Sequence, residues 1–261
     1  GRGRARLDKP MTTATDVPAV LFDVDVEVPQ SFNLLLYGPA GSGKTTAALT
    51  APGPTLVLNL EGRNALAFAR KHAAGMKVDS ITLASDEDPR EALREVVRLA
   101  REGSYGTVVV DTLGKYRDQL ARSIGGDQPS LPQWGQIGKS IMDAVRTLRD
   151  LDVCVVLICH EEIKDSDDGD RIIRPLIGGR TTEDVCAEVD VIAYCRAVTD
   201  EDGTRYVGQL VEARGRRAKD RSGGLGVARD LDLTEWLAAY REALTADTTD
   251  LPWTANEEET K

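Results

Sequence analysis

The chain has 261 residues, 41% of them hydrophobic and 29% charged, and a formal net charge of −10. That length supports one sizeable α/β core rather than two independent domains. The acidic balance excludes a protein that coats duplex DNA through its overall charge, although a local basic loop remains compatible with it. No apolar run approaches the ~20 residues that cross a bilayer and no signal-peptide pattern is present, so the sequence reads as cytoplasmic.

Residues Gly1 to Pro10 are basic and lack an apolar pattern, and Met11 follows as a plausible natural start. Residues 1–18 therefore read as a leader or flexible arm outside the fold. Val20, Phe22, Val24, Val26 and Val28 then alternate with Leu21, Asp23, Asp25 and Glu27, the period of a strand with one apolar and one mostly acidic face. Such a strand either extends the chain's own sheet or pairs with a neighbouring subunit. Phe32 to Tyr37 reads as a buried strand, followed by Gly38-Pro39-Ala40-Gly41-Ser42-Gly43-Lys44-Thr45 and a helix through Thr46 and Leu49. Pro52-Gly53-Pro54 breaks the chain before a strand over Thr55 to Leu60 that ends at Glu61. A helix around Asn64 to Lys71 and a short strand over Ser80 to Leu83 come next. Asp88, Pro89 and Glu91 supply a cap, a first-turn proline and a capping-box glutamate for a helix to Arg101.

Thr107 to Asp111 is a strongly apolar strand ending in a carboxylate, and a helix from near Thr112 reaches Ile124. Gly125 to Pro132 reads as a loop, Gln133 to Asp150 as a helix, and Cys154 to Cys159 as a buried strand ending at His160. A polar loop over Glu161 to Arg180 precedes a short helix from Thr182 to Glu188. Strands over Val191 to Ala197 and Tyr206 to Val211 form a hairpin, and Asp232 to Glu235 cap a last helix ending near Leu244. Residues 19–244 thus predict one α/β domain with a mostly parallel sheet covered on both faces and an antiparallel hairpin extension. The stretch 245–261 is acidic and polar apart from Leu251-Pro252-Trp253, and reads as a flexible tail in which Trp253 is a docking anchor or a loosely packed aromatic. Cys154, Cys159, Cys186 and Cys195 lack C-x-x-C spacing and lie in or beside apolar segments, so buried free thiols are expected.

Gly38 to Thr45 fits the phosphate-loop pattern G-x-x-x-x-G-K-[ST] between a strand and a helix. Glycines let the backbone turn tightly around the β-phosphate, Lys44 reaches the β- and γ-phosphates, and the Thr45 hydroxyl ligates Mg2+. Gly38, Pro39, Ala40, Gly41, Ser42, Gly43, Lys44, Thr45 and Thr46 form the expected nucleotide-binding set, with ATP and Mg2+ as ligands. Asp111 is the expected carboxylate for the metal, through a coordinated water. Glu61 is placed to accept a proton from the attacking water, unless it is one of the surface glutamates that commonly follow strands. His160 either senses the γ-phosphate or is structural.

The ordered pieces GPAGSGKT, LNLE, VVVDT and LICHE resemble the RecA/RadA superfamily of recombination ATPases, and within it the phage-encoded RecA-like ATPases of single-strand annealing and recombination. The resemblance covers about Phe32 to Gly223. It implies a RecA-like ATPase core, with Glu61 activating water, Lys44, Thr45 and Asp111 holding Mg-ATP, and His160 coupling the γ-phosphate to a DNA-binding loop. The family often has glutamine where this chain has His160. Lys219-Asp220-Arg221-Ser222-Gly223 is similar to the lysine-x-arginine-x-glycine signature of RadA-type ATPases, with aspartate in place of the usual asparagine. The resemblance gives Lys219 and Arg221 a role at the triphosphate of an adjacent subunit, and so implies a homo-oligomer, ring or filament. A solvated basic turn is the competing reading of that segment.

In the same family, loops at Gly125 to Lys139 and Glu161 to Arg180 line a DNA channel. That makes Trp134, Lys139, Lys164, Arg171, Arg174 and Arg180, with Gln133, candidates for single-stranded DNA. Asp165, Asp167, Asp168 and Asp170 oppose phosphate in the second loop, and Trp134 also suits a core anchor at a helix start. The implied function is a Mg-ATP-dependent ATPase that oligomerises on single-stranded DNA to promote annealing or homologous recombination in a bacterial host cytoplasm, with a single-strand-binding protein as a further partner. A ring-type helicase and an ATP-gated adaptor for a partner protein are the alternatives. No acceptor site or arginine-rich lid points to a small-molecule kinase, and no N-K-x-D-like motif points to a GTPase.

Overall fold

Strands built almost wholly of apolar residues need cover on both faces, and the chain supplies it with two sets of helices. The computed structural model describes residues 28–73, 75–165, 171–201 and 203–246. In chain order these form β1 (Asn33–Tyr37), α1 (Lys44–Ala48), β2 (Thr55–Asn59), α2 (Arg63–His72), β3 (Val78–Thr82) and α3 (Pro89–Arg101). Then come β4 (Thr107–Asp111), α4 (Leu113–Gly125), α5 (Leu131–Arg149), β5 (Cys154–Cys159), β6 (Glu161–Asp165), β7 (Arg171–Pro175) and α6 (Thr181–Glu188). The chain closes with β8 (Val191–Asp200), β9 (Gly203–Gln209), β10 (Lys219–Asp220), β11 (Ala228–Asp230) and α7 (Leu233–Thr245).

Among the described residues, nine strands form one sheet in the order β11-β9-β8-β1-β5-β4-β2-β3, with β10 against β8. From β3 across to β8 the pairing is parallel. β9, β10 and β11 add an antiparallel margin. This is the predicted α/β architecture with its antiparallel extension. The period-two alternation divides each central strand between two cores. Leu35, Tyr37, Val108, Val110, Leu157 and Cys159 face α3, α4, α5 and α6. Leu34, Leu36, Val109, Val156 and Ile158 face α1, α2 and α7. All four cysteines are buried free thiols, as expected.

α7 locks the antiparallel margin to the parallel sheet. Trp236 is fully buried, its indole N–H donates to Asp230 O at 2.7 Å, and its ring lies where a Cβ on Gly208 would intrude, 2.4 Å from Cη2. The start of α7 is tied to the end of α1 through Leu233 N–H to Thr50 Oγ1, 2.8 Å, and Thr234 Oγ1 to Thr50 O, 2.6 Å.

The stretch Glu161 to Arg180, expected to be a loop, instead contains the antiparallel pair β6–β7, in register from Glu161 opposite Pro175 to Asp165 opposite Arg171. Its alternation is weak because, of its three isoleucines, Ile173 is buried while Ile163 and Ile172 stay exposed, so the polar composition hid the strands. The hairpin is clamped by backbone bonds from Ile173 N to Gly215 O, 2.7 Å, and from Arg217 N to Ile173 O, 3.1 Å. Into that clamp the buried Tyr37 hydroxyl donates, lying 2.6 Å from Arg217 O and 3.0 Å from Ile173 O. Two local expectations also shift. α5 begins at Leu131, which puts Trp134 inside its first turn, and Glu91 pairs with Arg94 at 3.2 Å while Asp88 alone caps α3. The readings of residues 1–18, of the alternating segment over 20–27, of Asp167, Asp168 and Asp170, and of the tail with Trp253 fall outside the described residues.

Candidate functional site

Parallel strands bring their carboxyl ends to one edge of the sheet, and the loops leaving β1, β2, β4 and β5 carry the charged residues singled out in the sequence. β1 runs into the phosphate loop, where Gly38, Gly41 and Gly43 have φ of 147°, 76° and 84°. These are values that side chains with a Cβ rarely adopt. The Lys44 ammonium folds back into the loop, donating to Gly38 O at 2.9 Å, Pro39 O at 2.7 Å and Ser42 Oγ at 3.1 Å. It is buried, and burial lowers its pKa, opposed by Asp111 and Glu161 among other groups. Three acceptors surround one ammonium, whose N–H donors can be exchanged onto phosphate oxygens.

Thr45 Oγ1 donates to Asp111 Oδ2 at 2.8 Å, joining the start of α1 to the end of β4. Burial pushes the Asp111 carboxyl up to about 6, with the Glu61 charge adding to the rise and the Thr45 bond and the Lys44 charge opposing it. A buried carboxylate beside a hydroxyl is a hard oxygen pair suited to Mg2+, which keeps most of its remaining coordination for water and phosphate. Among the described residues no cluster of three or more His, Cys, Asp or Glu side chains forms an all-protein metal cage. Thr45 and Asp111 would hold the ion together with the triphosphate, and when bound it would neutralise developing negative charge there.

Glu61 is set beside Asp111 by the backbone bond from Leu60 N to Asp111 O, 2.6 Å, and its own N–H donates to Asn59 Oδ1 at 3.2 Å. Its Oε1 accepts from Thr112 Oγ1 at 3.0 Å and faces His160 Nε2 at 3.5 Å. Lys44, Thr45, Asp111, Glu61 and His160, gathered from four strand ends, thus line one cleft of about 690 Å³.

The family model described as an AAA domain matches residues 31–222. The chain belongs to the AAA domain family. AAA domains are P-loop ATPase modules, so nucleotide is the ligand class of this cleft. No curated protein matches the chain.

The far wall of the AAA-domain cleft was not legible in the sequence. Arg205 and Tyr206 of β9, with Leu231 after β11, close it opposite Phe68 and His72 of α2. Tyr206 lies directly over the loop, since a Cβ on Gly43 would sit 3.1 Å from its Cδ1. Only the antiparallel return of β9 along β8 brings this ring back to the loop, and its sole sequence trace was the start of a predicted strand. Thr112 was read only as a helix start.

The structure does not bring Lys219 and Arg221 to this cleft. β10 pairs with Val191 and Ile192 at the amino end of β8, the opposite end of the sheet from the phosphate loop. Lys219 Nζ donates to Cys186 O at 2.9 Å, and Arg221 donates to Ala187 O at 2.8 Å and Asp190 Oδ1 at 3.1 Å. Both cations thereby cap the carbonyl end of α6, where positive charge is favourable. Of the other basic candidates, Arg174 is held internally by Glu162 at 2.9 Å and Glu183 at 3.4 Å, with its side chain 15% exposed. Lys164 pairs with Glu162 at 3.4 Å, Arg180 meets Asp184 at 3.8 Å, and Arg171 is exposed on β7. Trp134, Lys139 and Arg180 share a groove of about 730 Å³ with Arg117 and Arg146.

Proposed function

We propose that the chain is a RecA-like Mg-ATP hydrolase that assembles head to tail and acts on single-stranded DNA in annealing or recombination. The observation that carries the hydrolase reading is the cleft itself: an ammonium folded into the phosphate loop, a hydroxyl–carboxylate pair for Mg2+, and a second carboxylate with one oxygen held and the other without a hydrogen-bond partner among the described residues. In this reading Lys44 binds the triphosphate and Glu61 takes a proton from the attacking water. His160 hydrogen-bonds the γ-phosphate, and the base lies against Tyr206.

Lys219 and Arg221 support the assembly. Cations at one end of a sheet and a phosphate loop at the other suit a heterologous interface, in which each subunit's cations complete the next subunit's site. The groove around Trp134, Lys139 and Arg180 supports the nucleic-acid reading, because it offers an aromatic face beside cations and Lys139 makes no ion pair among the described residues. In this reading Lys164 and Arg171, on the β6–β7 hairpin, are further cations for the strand.

One experiment tests the proposal as a whole: ATP turnover and molar mass, each with and without single-stranded DNA. The expected result is faster turnover and a larger particle when DNA and ATP are both present. Turnover that ignores every nucleic acid would reject the DNA reading in favour of an adaptor for a partner protein. Mixing Arg221→Ala with Lys44→Ala subunits tests the shared site. Partial recovery of activity is expected, and no recovery with subunits that exchange freely rejects it.

A further inference from the structure

Asp111 and Thr112 divide two tasks at one strand end. Asp111 accepts the Thr45 hydroxyl, and Thr112 gives its own hydroxyl to Glu61. Thr112 is 2% exposed, so the donor side of that bond is shielded from water. Its Oγ1 accepts the Lys115 N–H at 3.3 Å as the cap of α4, which leaves the one hydroxyl proton for Glu61 Oε1. The branched side chain is stiff at χ1, so the donor direction is fixed by the backbone that also carries Asp111. His160 Nε2 faces the same oxygen at 3.5 Å, too far for a hydrogen bond of normal length. Glu61 Oε2 has no hydrogen-bond partner among the described residues, and Glu61 lines the cleft.

We infer that Thr112 is a positioning residue for hydrolysis: it pins one oxygen of the Glu61 carboxylate so that the other faces the attacking water. The inference rests on the proposed role of Glu61 as general base. In the step concerned, a water proton passes to Glu61 Oε2 and the water oxygen bonds to the terminal phosphorus. The bond from that phosphorus to the bridging oxygen breaks with its electron pair going to ADP, and the proton then leaves to solvent. Thr112 neither gains nor loses a proton in this sequence. A carboxylate without the pin would rotate about its last torsion, which is broad for glutamate, and would present the accepting oxygen to water only part of the time.

The test compares kcat and KM for ATP in the full chain carrying Thr112→Val, Thr112→Ser, Glu61→Gln, or Thr112→Val with Glu61→Gln. Thr112→Val is expected to lower kcat about tenfold, a part of the ~10²–10⁴ that a general base contributes, with KM unchanged within about twofold. Thr112→Ser keeps both hydrogen bonds and is expected to hold kcat within about twofold of the parent. In the Glu61→Gln background, Thr112→Val should add nothing, since the residue acts only through that carboxylate. Valine also removes the cap of α4. Thr112→Gly, a residue tolerated at caps, therefore serves as the second hydroxyl-free variant, and it should be as slow. The inference is overturned if both hydroxyl-free variants turn over at the parent rate, if Thr112→Ser is as slow as they are, or if the loss persists in full on Glu61→Gln. Glu61→Gln at the parent rate would instead refute the base assignment. A slow Glu61→Gln beside a fast Thr112→Gly removes Thr112 alone.

Discussion

Replacing Gly38 with alanine tests the close approach that seats the phosphate loop on β8. A Cβ at position 38 would lie 2.3 Å from Cys195 O, roughly 1 Å short of ordinary contact, at a φ of +147°. Neither partner is a flexible side chain, so loop and strand must separate. Gly41, in the same loop, has a φ of +76° but nothing within 4 Å of its added Cβ. Alanine at 41 incurs the left-handed backbone penalty of ~1–2 kcal/mol; alanine at 38 incurs at least as much, at a φ that residues with a Cβ hardly adopt, and adds an overpacking cost of ~1–3 kcal/mol. The expected gap between the two variants is therefore at least that overpacking cost. For a domain of this size each 1 kcal/mol corresponds to about 2–4 °C in Tm, so Gly38→Ala should melt several degrees below Gly41→Ala. Calorimetry of the nucleotide-free variants reads the difference directly. Equal Tm losses would refute the argument, because the contact with Cys195 would then cost nothing.

Lys44→Ala should abolish nucleotide binding, whereas Glu61→Gln should bind normally and turn over ~10²–10⁴ more slowly. Nucleotide titration beside turnover checks both, and an equal loss of binding in the two variants would reject Glu61 as base. Tyr206→Ala should weaken ATP binding by ~1–3 kcal/mol, the worth of one aromatic stack on a base, and leave inorganic triphosphate binding unchanged. Calorimetric titration with both ligands decides this, and an unaltered ATP affinity would mean that the ring is not the base platform. Asp88 caps α3 through Arg90 N–H at 2.9 Å, and its bonds to the Arg90 side chain hold its carboxyl well below the ordinary range. Its contribution is thus full above pH ~4 and is lost as acid titrates it. Asp88→Ala should cost about 1 kcal/mol near neutral pH and progressively less in stronger acid. A pH-independent difference in denaturant midpoint would contradict that account.

The edge of the sheet that carries the candidate site was legible because its residues sit on uninterrupted apolar strands. Val108, Val109 and Val110 announce β4, and whatever follows must emerge at the carboxyl edge, which locates Asp111 without any contact being known. The same logic placed Glu61 after Leu56 to Leu58 and His160 after Val155 to Ile158. Tyr206 escaped because its position depends on pairing at a distance, across from Ala197 on β8, and sequence periodicity carries no record of which strand a hairpin folds against. Thr112 escaped for another reason. A threonine after a strand satisfies the helix cap by itself, so nothing in the pattern shows that its proton serves Glu61, fifty-one residues away in sequence. Lys219 and Arg221 were legible as a motif, but their lodging against the end of α6 follows from β10 pairing over only two residues, too short a run to stand out.

The Tyr37 hydroxyl, described above as part of a clamp, also works as a pin through three parts of the chain. Tyr37 is the last residue before the phosphate loop, Ile173 belongs to the β6–β7 hairpin, and Arg217 leads into the segment carrying Lys219 and Arg221. Displacement of any one of them is transmitted to the other two unless the pin shears. Burial raises the phenol's pKa above its ordinary value, which favours the protonated form that makes the pin. The linkage between the nucleotide edge and the basic segment thus runs through one buried phenol, whose raised pKa keeps its donor proton in place.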